Sequence, residues 1–158
     1  MEILKQTLLS CLDDAFDGEA WHGPNLYGTL ANLDLEQMTY DNTVEGFSVW
    51  QIALHCAYWK WYVRKLLSNR DVPAFRRSAD DWPAVPDNHT LENWKRDIDF
   101  LVEEHRLLRQ SVVEFPDNRL SDIVEGKSLS YLKHIYSVAA HDVYHTAQIR
   151  NMGVPGIK

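Results

Sequence analysis

The run Ala139-Ala140-His141-Asp142-Val143-Tyr144-His145-Thr146-Ala147-Gln148-Ile149 decides how the rest of the chain is read. On a helix its two histidines stand about 40° and ~6 Å apart, so both imidazoles reach one point. No Gly or Pro interrupts the surrounding apolar pattern before Gly153, which supports a long helix from about Ser130 to Met152. His141 and His145 share a stripe with Val138, Ile149 and Met152, the face a helix turns inward. Imidazole nitrogens in a core are costly unless satisfied, and a metal ion is one way to satisfy them.

Catalytic zinc-type sites commonly take three protein ligands and leave one position for water or substrate. No residue after His145 is His, Cys, Asp or Glu, so a third ligand has to come from upstream. His55 is the best candidate. Ser48-Val49-Trp50-Gln51 reads as a capping box that opens a helix to about Leu67, with Ile52, His55, Trp59, Tyr62 and Leu66 on one stripe. His55 lies about seven residues into this helix, while His141 and His145 lie about eleven and seven before the end of theirs. Antiparallel helices therefore bring all three to one level, whereas parallel ones leave them ~6–12 Å out of step.

Further helices are expected over about Glu2–Phe16, from Pro24 to about Leu33, and at the capping box Asp34-Leu35-Glu36-Gln37. Another follows Thr90, with Leu91, Trp94, Ile98, Leu101, His105, Leu108 and Val112 at three- and four-residue steps until Pro116. The connection from Ser68 to His89 is long enough to run the length of a bundle. Strand-like alternation is absent. The expected fold is all-α, a single-domain four-helix bundle over 1–158 with long connections, short extra helices, and the second and fourth main helices antiparallel. A second stripe on the second main helix, Trp50, Leu54, Ala57 and Trp61, needs a cover: a second copy of the chain, or the chain's own connections.

Composition narrows the partners. Sixteen Lys and Arg against 23 Asp and Glu give a net charge of −7 without a basic run, which argues against nucleic acid or an anionic membrane surface. Cys11 and Cys56 are too few for a disulfide framework, the start lacks a signal-peptide layout, and no run reaches the length of a membrane span. A cytoplasmic protein is expected.

Several polar residues carry two readings. His141-Asp142-x-x-His145 is laid out like the metalloprotease His-Glu-x-x-His, whose acid is a general base. Aspartate is one methylene shorter, and an exposed or outer carboxylate is the reading preferred for Asp142. Gln148 shares the His145 face and is placed to bond a ligand. His22, in a loop, either closes over the site or decorates the surface. His105 and His134 read as satisfied core histidines, and Arg76-Arg77 as solvated loop charge. Cys56 is rotated ~100° from His55 and is not counted as a ligand.

Three segments, Trp21-His22-Gly23-Pro24, Ser48 to His55 and His141 to Ile149, give the chain its likeness to a known family. It resembles the DinB/YfiT-like superfamily of metal-dependent bacterial four-helix bundles. That resemblance implies a divalent metal on His55, His141 and His145, zinc or nickel first, with iron or manganese compatible. The family's usual Gly before the glutamine is Ala147 here, which leaves the ligands intact. The resemblance also implies a homodimer and transfer of a low-molecular-weight thiol such as bacillithiol to an electrophilic small molecule. Asp142, Gln148 and His22 are the candidate catalytic residues. The alternatives are a metal-dependent hydrolase and a bundle that binds a metal or small ligand without turnover.

Overall fold

Side-chain caps start most of the helices. In the computed structural model, which describes residues 3–68, 71–77 and 80–157, the Ser48 hydroxyl accepts from the Gln51 amide while the Gln51 side chain accepts from the Ser48 amide. This reciprocal box opens α4, Val49–Leu67. Asp34 and Gln37 do the same for the short α3, Leu35–Thr39. Thr90 caps α5, Leu91–Glu114, and Ser130 caps α6, Tyr131–Asn151. The first helix, α1, is described from Ile3 to Phe16, and the expected start at Glu2 lies outside the described residues.

One start differs from the sequence expectation. Pro24 does not open α2, Leu26–Leu30; Asn25 caps it, accepting from the Gly28 amide at 2.7 Å and donating to the Gly18 carbonyl at 2.8 Å. An Asn side chain satisfies a free helix amide, which Pro at the first helical position cannot do. The helix also ends before Leu33, because Asp34 already caps α3. Gly18 is needed where α1 stops: its amide donates to the Asp13 carbonyl at 2.7 Å, and a Cβ there would sit 3.0 Å from that group.

The four long helices close a ring in which α1 packs on α6, α6 on α4, α4 on α5 and α5 on α1. That is the expected four-helix bundle. Among the described residues there is no strand, only an isolated bridge between Ile123 and Ser130. Two apolar clusters fill the interior. Trp50, Leu54, Trp94, Leu101 and Ile149 belong to one, and Leu12, Leu108, Ile135 and Val138 to the other. Lys5, buried on α1, donates to the terminal carbonyls of α5 at Val113 and Phe115, which ties the two helices together.

The second α4 stripe is covered from within the chain. Trp50 meets Trp94 edge-on at 5.5 Å and donates from Nε1 to Asp97 of α5 at 2.9 Å. Trp61 donates to the Pro73 carbonyl at 2.9 Å and packs on Phe75. The stripe therefore leaves no apolar face for a second copy. No helix among the described residues is long and apolar enough to cross a membrane.

Contacts between α4 and α6 follow the order expected of opposed helices. His55 meets His145 and His141, Trp59 meets His141, and Tyr62 meets His134. Moving down α4 means moving up α6. This arrangement brings the three candidate ligands to one level.

Candidate metal centre

His55, His141 and His145 converge through their Nε2 atoms. His141 Nε2 lies 3.0 Å from His55 Nε2 and 3.0 Å from His145 Nε2. The ring's outer nitrogens fix two of the three tautomers. His55 Nδ1 faces the carbonyl of Asp81, an acceptor only, so Nδ1 carries the proton. His145 Nδ1 faces Gln148 Oε1 at 2.7 Å and likewise donates. Both rings therefore present a bare Nε2 lone pair to the centre. A single proton on His141 Nε2 can bridge to one of them, which leaves the other contact lone pair against lone pair.

A divalent cation held at that point would resolve the conflict. Zinc-type N–M distances of about 2.0–2.1 Å in tetrahedral geometry put ligand nitrogens ~3.3 Å apart, close to the 3.0 Å separations here. Burial pushes the His141 pKa down to about 2 and that of His145 to about 4, and it lowers His55 as well. All three imidazoles are thus neutral at neutral pH, the form that ligates. Three imidazoles suit zinc, nickel, iron and copper alike.

The triad opens onto a cavity of about 440 Å³, lined also by Glu45, Phe47, Trp59, Trp82, Tyr144 and Gln148. Trp82 stacks flat on His55 at 3.8 Å and 6°, and on Phe47 at 3.6 Å and 4°. Residue Asp81, immediately before it, supplies the carbonyl to His55 Nδ1. A short stretch of the α4–α5 connection thus both orients one ligand and walls the cavity.

Behind the triad lies a charged pair in the core. Lys60 and Asp142, both fully buried, form an ion pair between α4 and α6. Burial pushes the Asp142 carboxyl up, and the Lys60 ammonium works against that. Of the two forms of the preferred sequence reading of Asp142, burial removes the exposed one: the carboxylate faces into the bundle toward Lys60. It is also not among the residues lining the cavity, so it is not placed to act on a bound water there.

A family model of the DinB superfamily matches residues 20–149. The chain belongs to the DinB superfamily. No match was found among curated proteins, nor among solved structures. Within this DinB-superfamily chain the structure joins His55, His141 and His145 and adds Gln148 beside them. His22 is exposed in the α1–α2 loop and does not line the cavity. Cys56 is buried behind the site, its thiol pKa raised well above the usual range by burial. His105 is a core residue, stacked on Phe16 at 4.0 Å, and His134 is half-buried. Arg77 is not free loop charge: it pairs with the buried Asp97 that also holds Trp50.

Sequence reasoning missed Lys60, Trp82 and the Asp81 carbonyl. One signal was available for Lys60, a lone lysine between Trp59 and Trp61 in a helix apolar on both sides. For Trp82 and Asp81 there was none, because the connection has no periodicity to orient its side chains.

Proposed function

We propose that this DinB-superfamily chain is a divalent-metal-dependent enzyme that transfers a low-molecular-weight thiol to an electrophilic small molecule. The observation that carries the reading is the convergence of three neutral imidazoles on one point at the wall of an open cavity. His55, His141 and His145 would hold the ion, with zinc or nickel placed first by the family resemblance. When bound, such an ion supplies the Lewis acidity that makes a thiol a thiolate near neutral pH.

The chain's own residues do the rest. Among the described residues lining the cavity there is no Ser, Cys or Lys, so the attacking atom comes from a substrate. Gln148 holds the His145 ring through Nδ1, and the Asp81 carbonyl and the Trp82 face hold His55. Phe47, Trp59, Trp82 and Tyr144 offer apolar walls to an electrophile's body, while Glu45 adds a carboxylate at the exposed rim. In the transfer a sulfur–carbon bond forms as the carbon–leaving-group bond breaks, and the thiol proton departs with the leaving group.

The test is turnover of a chromogenic electrophile with bacillithiol, glutathione and related thiols, using zinc- or nickel-loaded protein. The His145→Ala protein is the control. Thiol-dependent turnover that His145→Ala loses supports the reading. Turnover no faster than the variant with every thiol makes the non-catalytic binding bundle the better account. Hydrolysis without thiol would favour the hydrolase.

A further inference from the structure

A second cavity, of about 350 Å³, lies between α4, α6 and the loop that leads into α6. Trp59, Tyr62 and Val63 of α4, Ser137 and Val138 of α6 and Leu129 of the loop line it, and it shares Trp59 and His141 with the cavity at the triad. No Asp, Glu, Lys or Arg stands among its described lining residues. His134, also on its wall, is kept neutral, because burial and the nearby Lys127 ammonium both lower its pKa. The Nε2 atom of His134 is buried and has no hydrogen-bond partner among the described residues. Trp59 is placed differently from Trp82. Trp82 stacks flat on two rings, whereas His55, Tyr58, Tyr62 and His141 all meet Trp59 at 60–86°. Among the described residues no ring lies flat on Trp59. Leu129 is held in place at the cavity, its carbonyl accepting from the Val124 amide at 3.1 Å, yet it stays 40% exposed.

We propose that this cavity is a binding site for a compact, uncharged aromatic molecule, held against Trp59 with Val63, Leu129 and Val138 around it. The volume suits a body of one or two rings: small-molecule sites begin near ~300 Å³, and an apolar cavity of ~150 Å³ already takes benzene. A charged ligand would give up its water there and meet no opposite charge on the walls, a cost that an uncharged one avoids. Contact with the Trp59 and Tyr62 rings favours an aromatic body over an aliphatic one of the same size. A single hydroxyl or carbonyl on that body has the Ser137 hydroxyl and the His134 imidazole to bond with. Because Trp59 and His141 belong to both cavities, the bound ring lies next to the triad. The site stands without the thiol-transfer reading. Its use rests on that reading, and it narrows the electrophile to an uncharged aromatic compound.

The experiment titrates the full chain, without metal or thiol, with naphthol and separately with naphthoate, which puts a charge on the same rings. Labelled Val and Leu methyl groups report where the ring binds. Val63, Leu129 and Val138 line this cavity, and no Val, Leu or Ile is among the described residues that line the cavity at the triad. Saturable binding of naphthol with contacts from its ring protons to those methyls is expected, with naphthoate at least about tenfold weaker. Ser137→Phe places a ring in the cavity from α6 and is expected to lose naphthol binding while the chain stays folded. Naphthol that makes no contact with these methyls, naphthoate bound as tightly, or a folded Ser137→Phe chain with wild-type naphthol affinity would overturn the proposal. Contacts from the methyls to a second copy, in a mixed-label sample, would overturn it too by making the cavity a subunit contact. Should Ser137→Phe not fold, the wild-type contacts and the naphthoate comparison decide. Turnover separates the two readings. A chain that binds naphthol here but transfers no thiol loses the thiol reading and keeps the site; one that transfers thiol without these contacts loses the site alone.

Discussion

Trp82→Ala removes the side chain that lies flat on His55 and on Phe47, and the structure sets the size of the effect. Stacked aromatic pairs contribute about 0.5–1.5 kcal/mol beyond their buried area, so the two stacks together hold the connection against α4 and the segment just before it by about 1–3 kcal/mol. For a chain of this size that loss corresponds to a fall of about 3–9 °C in thermal midpoint. Metal affinity falls for a separate reason. The His55 stack alone accounts for roughly 2- to 10-fold. Loosening of the adjacent Asp81 carbonyl from Nδ1 extends the loss toward the 10- to 100-fold range typical of a ligand's hydrogen-bond partner. About tenfold is therefore expected by competition with a chromogenic chelator, and Trp82→Phe should recover most of it. Zinc affinity in Trp82→Ala within twofold of wild type would show that neither the stack nor the carbonyl positions His55.

Two further outcomes follow from the core and the covered stripe. His105 is buried with its pKa pushed down to about 2, so between roughly pH 6.5 and pH 2 the unfolded chain binds a proton there that the folded chain does not. Stability due to this residue is complete above pH 6.5 and declines by about 1.4 kcal/mol per pH unit below it. His105→Phe, which keeps the stack on Phe16, should flatten the acid side of the urea-denaturation profile by one proton; an unchanged slope would refute the burial argument. A homodimer, which the family resemblance implies, has to use a face other than the buried Trp50–Trp61 stripe. Light scattering over a dilution series reads it directly, and 18.4 kDa at every concentration would remove the dimer.

Helix starts were legible because they are written within four residues. Ser48 with Gln51, and Asp34 with Gln37, are local chemistry that no distant contact had to complete. Asn25 shows the limit: Pro24 is an equally local signal, and the side chain with an oxygen to offer prevailed. The triad was legible because helical geometry fixes levels. His55 and His145 stand equally far from facing helix ends, and opposed helices make those levels coincide. The Lys60–Asp142 pair was not legible in that way, since its members are 82 residues apart and each alone breaks the apolar pattern of its helix. Only packing shows that one explains the other. The covering of the second stripe depended on α5 and on where 71–77 crosses α4, and an aperiodic connection does not encode its path in its residue types.

His55, His141 and His145 are proposed to hold a single divalent ion. Zinc titration of metal-free protein by calorimetry, in wild type, His55→Ala, His141→Ala and His105→Phe, tests it most directly. One ion per chain in wild type and His105→Phe, with binding abolished in His55→Ala and His141→Ala, is the predicted result. Wild-type stoichiometry and affinity retained in His141→Ala would contradict it.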